Sequence, residues 1–274
     1  TMKDIDDGTG NKEDRVKLIR ASSIGSYSWD TSESSVNNGT GVNEWSQADL
    51  MKLLNPGYES ETVGGSLYWN SESGRCYDDE NNDTISCNFT SIGIKDKLKT
   101  LISDAVWNTG SNGTNDGTSS SGGLTKHYYA YERIDNTGKI CSSGTMCNDT
   151  VERTTTWTGK VGLMYPSDYG YATSGGSTTD RATCLNTVLY NWNGSSVSDC
   201  KNNDWLFSNS WQWTIFPGAI SSCASGAAFV DLNGNINGVV ACYYVGVRPV
   251  VYLTSNVKIA SGTGAYDDPF ILEN

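Results

Sequence analysis

Histidine is almost missing from this sequence. Only His127 occurs, in Lys126-His127-Tyr128-Tyr129, where the residue pattern reads as a strand over 126–133. A catalytic thiol needs a basic partner such as an imidazole beside it, and one strand histidine does not make such a pair. Paired C-x₂-C spacing is missing too, so no metal ligands are assigned to the cysteines. Basic residues are few: Lys and Arg total 19 against 31 acidic residues, for a net charge of −12. That balance excludes the clustered cations a phosphate backbone requires, and with them nucleic acid as a partner. Otherwise acidity says only that the chain is soluble and self-repelling. No apolar run approaches the length of a membrane span, so this segment is expected to make no membrane contact. A signal-peptide pattern is also lacking, which places any export or anchoring segment upstream of this sequence. There is no internal repeat and no clean domain boundary, so residues 1–274 read as one domain.

What is present points outside the cell. Eight cysteines fall as successive neighbours, each pair enclosing a short loop of Asn, Asp, Ser and Gly. The economical pairing is Cys76–Cys87, Cys141–Cys147, Cys184–Cys200 and Cys223–Cys242, although eight cysteines leave many other connectivities open. A bridge closing a loop of this size contributes about 2–3 kcal/mol, and persistent bridges need an oxidising compartment. Charged residues make up 18%, while nine Trp and fifteen Tyr help raise the aromatics to 11%. Little charge with many aromatics excludes disorder.

Along the chain, a strand end at Thr1-Met2-Lys3, a polar turn over 4–14 and an alternating run over 15–20 read as a hairpin. Three helices are expected. The first follows a capping-box-like Ser46-Gln47-Ala48-Asp49 and ends at Asn55-Pro56-Gly57. The second carries Ile94, Leu98, Leu101, Ile102 and Ala105 on one face. The third carries Leu185, Val188, Leu189 and Trp192. Core packing accounts for all three apolar stripes. A Gly/Ser/Thr/Asn loop covers 111–123. Further strands are expected over 156–165, 205–207, 210–216, 227–231, 238–244 and 247–253, with a tight turn at Asp231-Leu232-Asn233-Gly234.

Acid–base chemistry finds little support, since Asp78-Asp79-Glu80 and Asp267-Asp268 lie in polar loops. No cofactor is expected, with calcium the one candidate. Asp231-x-Asn233-Gly234-Asn235 and Asp4-x-Asp6-Asp7-Gly8 each match part of an oxygen-rich loop but lack its later bidentate Glu. Asn-x-Ser/Thr sequons stand at Asn38, Asn82, Asn88, Asn112, Asn148 and Asn193, and a composition this rich in Asn, Ser and Thr accounts for them. The most suggestive region is aromatic and amide-rich. Trp211 and Trp213 alternate about Gln212, so both indoles face one side of a strand. Phe216, Tyr243, Tyr244, Asn209, Asn235, Asn237 and Ser225 lie close by, a composition suited to recognition. Large rings serve cores equally well, so Trp211, Trp213 and Tyr244 keep both readings, whereas Trp205 is expected in the core.

The ending Gly246-Val247-Arg248-Pro249-Val250, preceded by Ala227-Ala228-Phe229-Val230-Asp231 and its turn, resembles bacterial C-type-lectin-like domains. These are related to the formylglycine-generating-enzyme fold and to variable proteins of diversity-generating retroelements. Gly162-Leu163-Met164-Tyr165-Pro166 and Asp204-Trp205-Leu206-Phe207 stand where that family has an inner strand and a Trp-led strand. The resemblance runs from about Arg15 to Leu253. The chain is also similar to the ectodomains of type IV pilin-like proteins of gut Firmicutes, whose tail the stretch 257–272 resembles, although the pilin helix is absent here.

The resemblance implies an α+β, C-type-lectin-like fold with hairpins, about three helices and long disulfide-pinned loops, its core over about 15–253 and a tail over 254–274. It implies ligand binding on 209–244, with Arg248 and Pro249 locking the last strand. The expected partner is a host or bacterial surface protein or a glycan, or neighbouring subunits if the chain is a structural filament protein. An oxidase of the formylglycine-generating type is the remaining alternative. A Cys223–Cys242 bridge would remove the thiols it needs, so no catalytic residue is assigned.

Overall fold

Short runs of β-branched and aromatic residues, separated by polar turns, fold into a mostly stranded α+β architecture. The structure is a computed structural model that describes residues 2–31, 41–78, 83–109, 123–132, 156–217, 226–263, 265 and 267–273. Cys141, Cys147, Cys223, Ser225, Asp79, Glu80, most of the 111–123 loop and the sequons at Asn38, Asn82, Asn112 and Asn148 lie outside the described residues. Seven short α-helices occur among the described residues, and none is long and apolar enough to cross a membrane.

Two sheets organise the chain. Their strands are β1 (Lys17–Ile19), β2 (Ser26–Tyr27), β3 (Ile102–Ser103), β4 (Val161–Leu163), β5 (Gln212–Pro217), β6 (Gly226–Val230), β7 (Ile236–Val240), β8 (Val245–Gly246) and β9 (Pro249–Leu253). The first sheet runs β4-β9-β1, with β3 also paired to β9, and is antiparallel throughout. The second runs β7-β6-β5-β8-β2, antiparallel except for the β5–β8 pair. The strand expected over 247–253 is present from Pro249 to Leu253. The chain leaves one sheet at Gly246 and enters the other at Pro249, with buried Val247 and Arg248 between them.

Aromatic rings fill the interior. Trp29, Trp45, Trp107, Trp192 and Trp213 have no exposed surface. Trp29 packs edge-on against Trp45 at 5.0 Å and Trp213 at 5.9 Å between ring centroids. The indole N–H of Trp213 donates to the Tyr27 carbonyl at 2.9 Å, so the largest apolar group of β5 is also tied by a polar bond to β2.

Local patterns gave way to tertiary pairing in several places. The helix expected over 94–105 is one turn, Asp96–Lys99. Ile102 then pairs with Leu253, and Ala105–Asn108 pairs with Thr156–Gly159; β-branched and aromatic residues favour those ladders over a longer helix. The strand expected over 126–133 is instead a helix, Thr125–Glu132. The Leu124 carbonyl accepts from His127 and Tyr128, and the Tyr128 ring meets Phe216 at 6.1 Å. The third helix divides into Arg181–Leu185 and a 3₁₀ turn, Leu189–Asn191.

Ser46 does not cap the first helix. Its hydroxyl donates to Glu44, and the helix starts at Asp49, whose N–H donates to the buried Asp30 carboxylate at 3.2 Å. Residues 205–207 are not a strand. Asp204 Oδ1 accepts the Leu206 N–H at 2.8 Å, and this side-chain turn sends Leu206 inward and leaves Trp205 59% exposed. The strand expected over 238–244 is shifted back to β7, with a turn at Tyr243, whose N–H donates to the Val240 carbonyl.

Two of the expected bridges are present, Cys76–Cys87 and Cys184–Cys200, with Cα separations of 5.9 and 5.3 Å. The tail is a hairpin of Lys258–Ser261 and Ile271–Glu273 on the surface. The packing makes a contrast measurable by urea unfolding. Trp213→Ala lowers stability by about 3–5 kcal/mol, whereas Trp205→Ala stays within about 0.5 kcal/mol.

Candidate ligand-binding site

The parallel β5–β8 pair within the second sheet borders a groove. Gln212 of β5 stands opposite Gly246 of β8, and Gly246 stands opposite Ser26 of β2. The Gly246 N–H donates to the Trp211 carbonyl at 3.0 Å. A side chain at 246 would press into Gln212 Nε2 and lie 2.6 Å from the Trp211 carbonyl oxygen. Glycine is thus required by close approach rather than by backbone conformation. The space that it leaves holds the buried Gln212 carboxamide, whose Nε2 donates to the Trp211 carbonyl and to Ser210 Oγ, both at 2.8 Å. Its Oε1 accepts no hydrogen bond among the described residues. Asn209 turns the chain into this strand with a left-handed φ of 51°, a conformation that asparagine tolerates better than most residues.

The groove encloses about 480 Å³. One rim is formed by residues 209–211, and the other by the segment 23–26, held by Ser23 Oγ accepting the Val247 N–H at 3.1 Å. Three exposed apolar side chains border it: Trp211, Leu232 and Tyr244, at 37%, 50% and 46% exposure. Trp211 packs on Phe229 at 5.0 Å, and Tyr244 and Tyr27 meet in a T-shaped contact at 6.4 Å. Each ring therefore has an aromatic neighbour and remains partly open. Burial, then the nearby Asp78 carboxylate, raises the Tyr244 phenol above its ordinary pKa, so it stays a neutral donor at physiological pH.

Of the residues singled out in the sequence, Asn209, Trp211 and Tyr244 come together in this groove. Trp213 and Phe216 do not. Both are fully buried, as is every residue of β5, so neither presents surface to a ligand. Asn235 is also buried, with Oδ1 accepting the Asn193 N–H at 3.1 Å and its own N–H bound to Asp231. It holds a turn and is corrected to a structural residue. Asn237 and Tyr243 are exposed but do not line the groove. Ser225 and Cys223 lie outside the described residues, and Cys242 is buried.

Ser23, Ser26, Ser210, Gln212 and Leu232 were missed. No local signal marks Ser23 and Ser26, which arrive through pairing across more than two hundred positions of chain.

The two calcium-like loops are closed by their own backbones. Asp231 Oδ1 accepts N–H groups from Asn233 and Asn235, Asp6 Oδ1 accepts from Gly8 and Gly10, and Asp7 Oδ1 from Thr9. These are side-chain turns. Among the described residues no three His, Cys, Asp or Glu side chains converge as a metal site would require.

The turn leading into the groove is anchored from below. Arg248 is buried and donates from Nη1 to the Leu206 carbonyl at 3.0 Å. Beside it, burial pushes the Asp204 carboxyl up to about 8, against the opposing pull of the Leu206 and Phe207 N–H groups and Arg248. No protein-family model, curated protein or solved structure matches this chain.

Two outcomes follow from this geometry. Gly246→Ala destabilises by about 1–3 kcal/mol, as overpacking does, and perturbs the Trp211 indole resonance in NMR. The unfolded Asp204 ionises near its ordinary 3.8 while the folded one keeps its proton to about 8. Folding therefore takes up a proton between these values, and stability falls as pH rises across the window. Denaturation midpoints measured from pH 5 to pH 8 show this slope, and Asp204→Asn flattens it.

Proposed function

We propose that this chain is an extracellular recognition domain of C-type-lectin-like fold, without enzymatic activity, that binds a surface ligand non-covalently in the Ser26–Trp211–Tyr244 groove. The observation that carries the reading is a groove that gathers two partly exposed aromatic rings, Trp211 and Tyr244, with Ser26, Asn209, Ser210 and Gln212. Convergent polar groups inside an apolar rim are the usual make-up of a small-ligand site, and 480 Å³ falls within the roughly 300–1,000 Å³ such sites occupy.

The fold assignment draws support from β1 and β9, which bring residues from both ends of the resemblance into one sheet. The Cys76–Cys87 and Cys184–Cys200 bridges favour an oxidising location. The filament reading retains one observation of its own. Ile259, Phe270 and Ile271 of the terminal hairpin and its connection are each at least half exposed, as residues covered by a neighbouring subunit would be.

The test uses fluorescently labelled protein on host epithelial and bacterial cells. Trp211→Ala and Tyr244→Ala each weaken saturable binding by about tenfold, in keeping with loss of an aromatic contact, and together abolish it. Binding unchanged in the double variant rejects the groove as the site, and dependence on the 258–273 hairpin instead supports the filament reading.

A further inference from the structure

Asparagine is a thermolabile residue, and most of all before glycine, which has no side chain to obstruct attack on the carboxamide. Three such pairs fall among the described residues: Asn193-Gly194, Asn233-Gly234 and Asn237-Gly238. Their dipeptide sequence is the same, so the fold must separate them. We infer that Asn237-Gly238, in β7, is a self-modifying site that reacts through a succinimide ahead of the other two.

The direction of the glycine N–H distinguishes the three. The Gly234 N–H donates to the Asp231 carbonyl at 3.0 Å, inside the turn that the Asp231 carboxylate closes. The Gly194 N–H is directed at the Asn191 carbonyl at 3.4 Å. In both pairs the nucleophilic nitrogen faces a carbonyl other than the amide it would attack. Gly238 differs. Its N–H donates to Oδ1 of Asn237 itself at 2.8 Å, so nitrogen and carboxamide are already in contact. Holding reacting groups together in the ground state removes much of the entropic barrier to ring closure. Asn237 is exposed, which gives water access to the amide. Among the described strands, β7 ends its sheet and pairs with β6 alone. Its backbone can therefore turn toward the ring geometry by opening one ladder rather than two.

Water is the only co-reactant. The Gly238 nitrogen loses its proton to solvent base and bonds to Cγ of Asn237. The Cγ–Nδ2 bond then breaks, and the amide nitrogen takes a proton from water and leaves as ammonia. A second water opens the succinimide at either carbonyl, giving aspartate or isoaspartate. Both products add a negative charge to a chain already at −12. Isoaspartate also adds its β-carbon to the main chain between residues 237 and 238. The pairing of Gly226, Ala227 and Ala228 with Val240, Val239 and Gly238 then loses its register. Asn237 stands opposite Phe229, the ring that packs on Trp211 and Trp213, so the change falls beside the support of both indoles.

The experiment ages the folded chain at mildly alkaline pH and follows each Asn-Gly peptide by mass spectrometry, with isoaspartyl methyltransferase to label isoaspartate. A parallel sample ages in guanidinium chloride. In the folded chain, conversion at Asn237 outpaces Asn193 and Asn233 by about fivefold or more. In denaturant the three rates converge. Asn237→Gln, which must close a larger ring, removes the fast reaction while its circular dichroism matches the parent. Aged protein carrying isoaspartate unfolds at lower urea than fresh protein, and aged Asn237→Gln does not.

Equal rates at the three sites in the folded chain overturn the inference. So does a lead for Asn237 that persists unchanged in denaturant, since the fold would then have no part in it. Isoaspartate at 237 with an unchanged unfolding midpoint overturns the consequence drawn for the β6–β7 ladder.

Discussion

Trp213 is where the constraints of this structure meet. Its ring closes a cluster with Trp29, which in turn leads to Trp45, and its N–H satisfies the Tyr27 carbonyl. The buried indoles of Trp29 and Trp45 find no such acceptor among the described residues. The Trp213 bond ties β5 to β2, two strands that do not pair with each other. Only the two-residue β8 fits between them, and it fits because Gly246 has no side chain to collide with Gln212 and Trp211. The groove is a consequence of that spacing. It opens where the narrow β8 ends and the flanking segments, Ser23–Ser26 and Asn209–Trp211, extend past it.

Two neighbouring tryptophans thus end in different surroundings. Trp213 loses all of its surface, while Trp211, one strand period earlier, keeps 37%. Both touch Phe229 of β6, at 6.2 and 5.0 Å respectively. The same-side alternation expected for them is real, yet the face they share runs from the interior to the rim. Alternation reports which side of a strand a residue takes. How far along that side the core extends depends on what packs over it, and those covering residues, Trp29 and Tyr27, belong to a distant part of the chain.

This separates what was legible in the sequence from what was not. The α+β class, the strands around 156–163, 212–217 and 226–230 and the two observed bridges follow from patterns within a few residues. The opening hairpin differs from the one expected: it joins Met2–Asp6 to Lys12–Arg15, and Lys17–Ile19 pairs with β9 instead. The errors share a cause. At 102–108 the chain carries a helical stripe but finds open ladder positions on β9 and on Thr156–Gly159. At 125–132 a tyrosine-rich segment that reads as a strand satisfies its backbone as a helix instead. Asp204 redirects Trp205 outward by capturing one N–H. For the groove, the aromatic half was visible as composition, and the serine half was not, because Ser23 and Ser26 gain meaning only from pairing with β8.

Two buried polar groups lie beneath the turn that leads into the groove. Asp204 and Arg248 are both nearly inaccessible, at 5% and 4% exposure, and both bond the backbone at Leu206. Removing water from charged groups is costly, and the protein meets the cost by keeping Asp204 protonated through neutral pH. A neutral carboxyl and a guanidinium that both grip one short turn leave little freedom for Ser208, Asn209 and Ser210 just beyond it. The rim that carries Trp211 is therefore set from two directions, by Gly246 pressed against it from the sheet and by the Arg248–Leu206 bond from the interior. Loops that recognise ligands are usually the soft part of a domain. Here the turn is fastened to the strand crossover itself, so the aromatic wall is as stable as the junction of the two sheets.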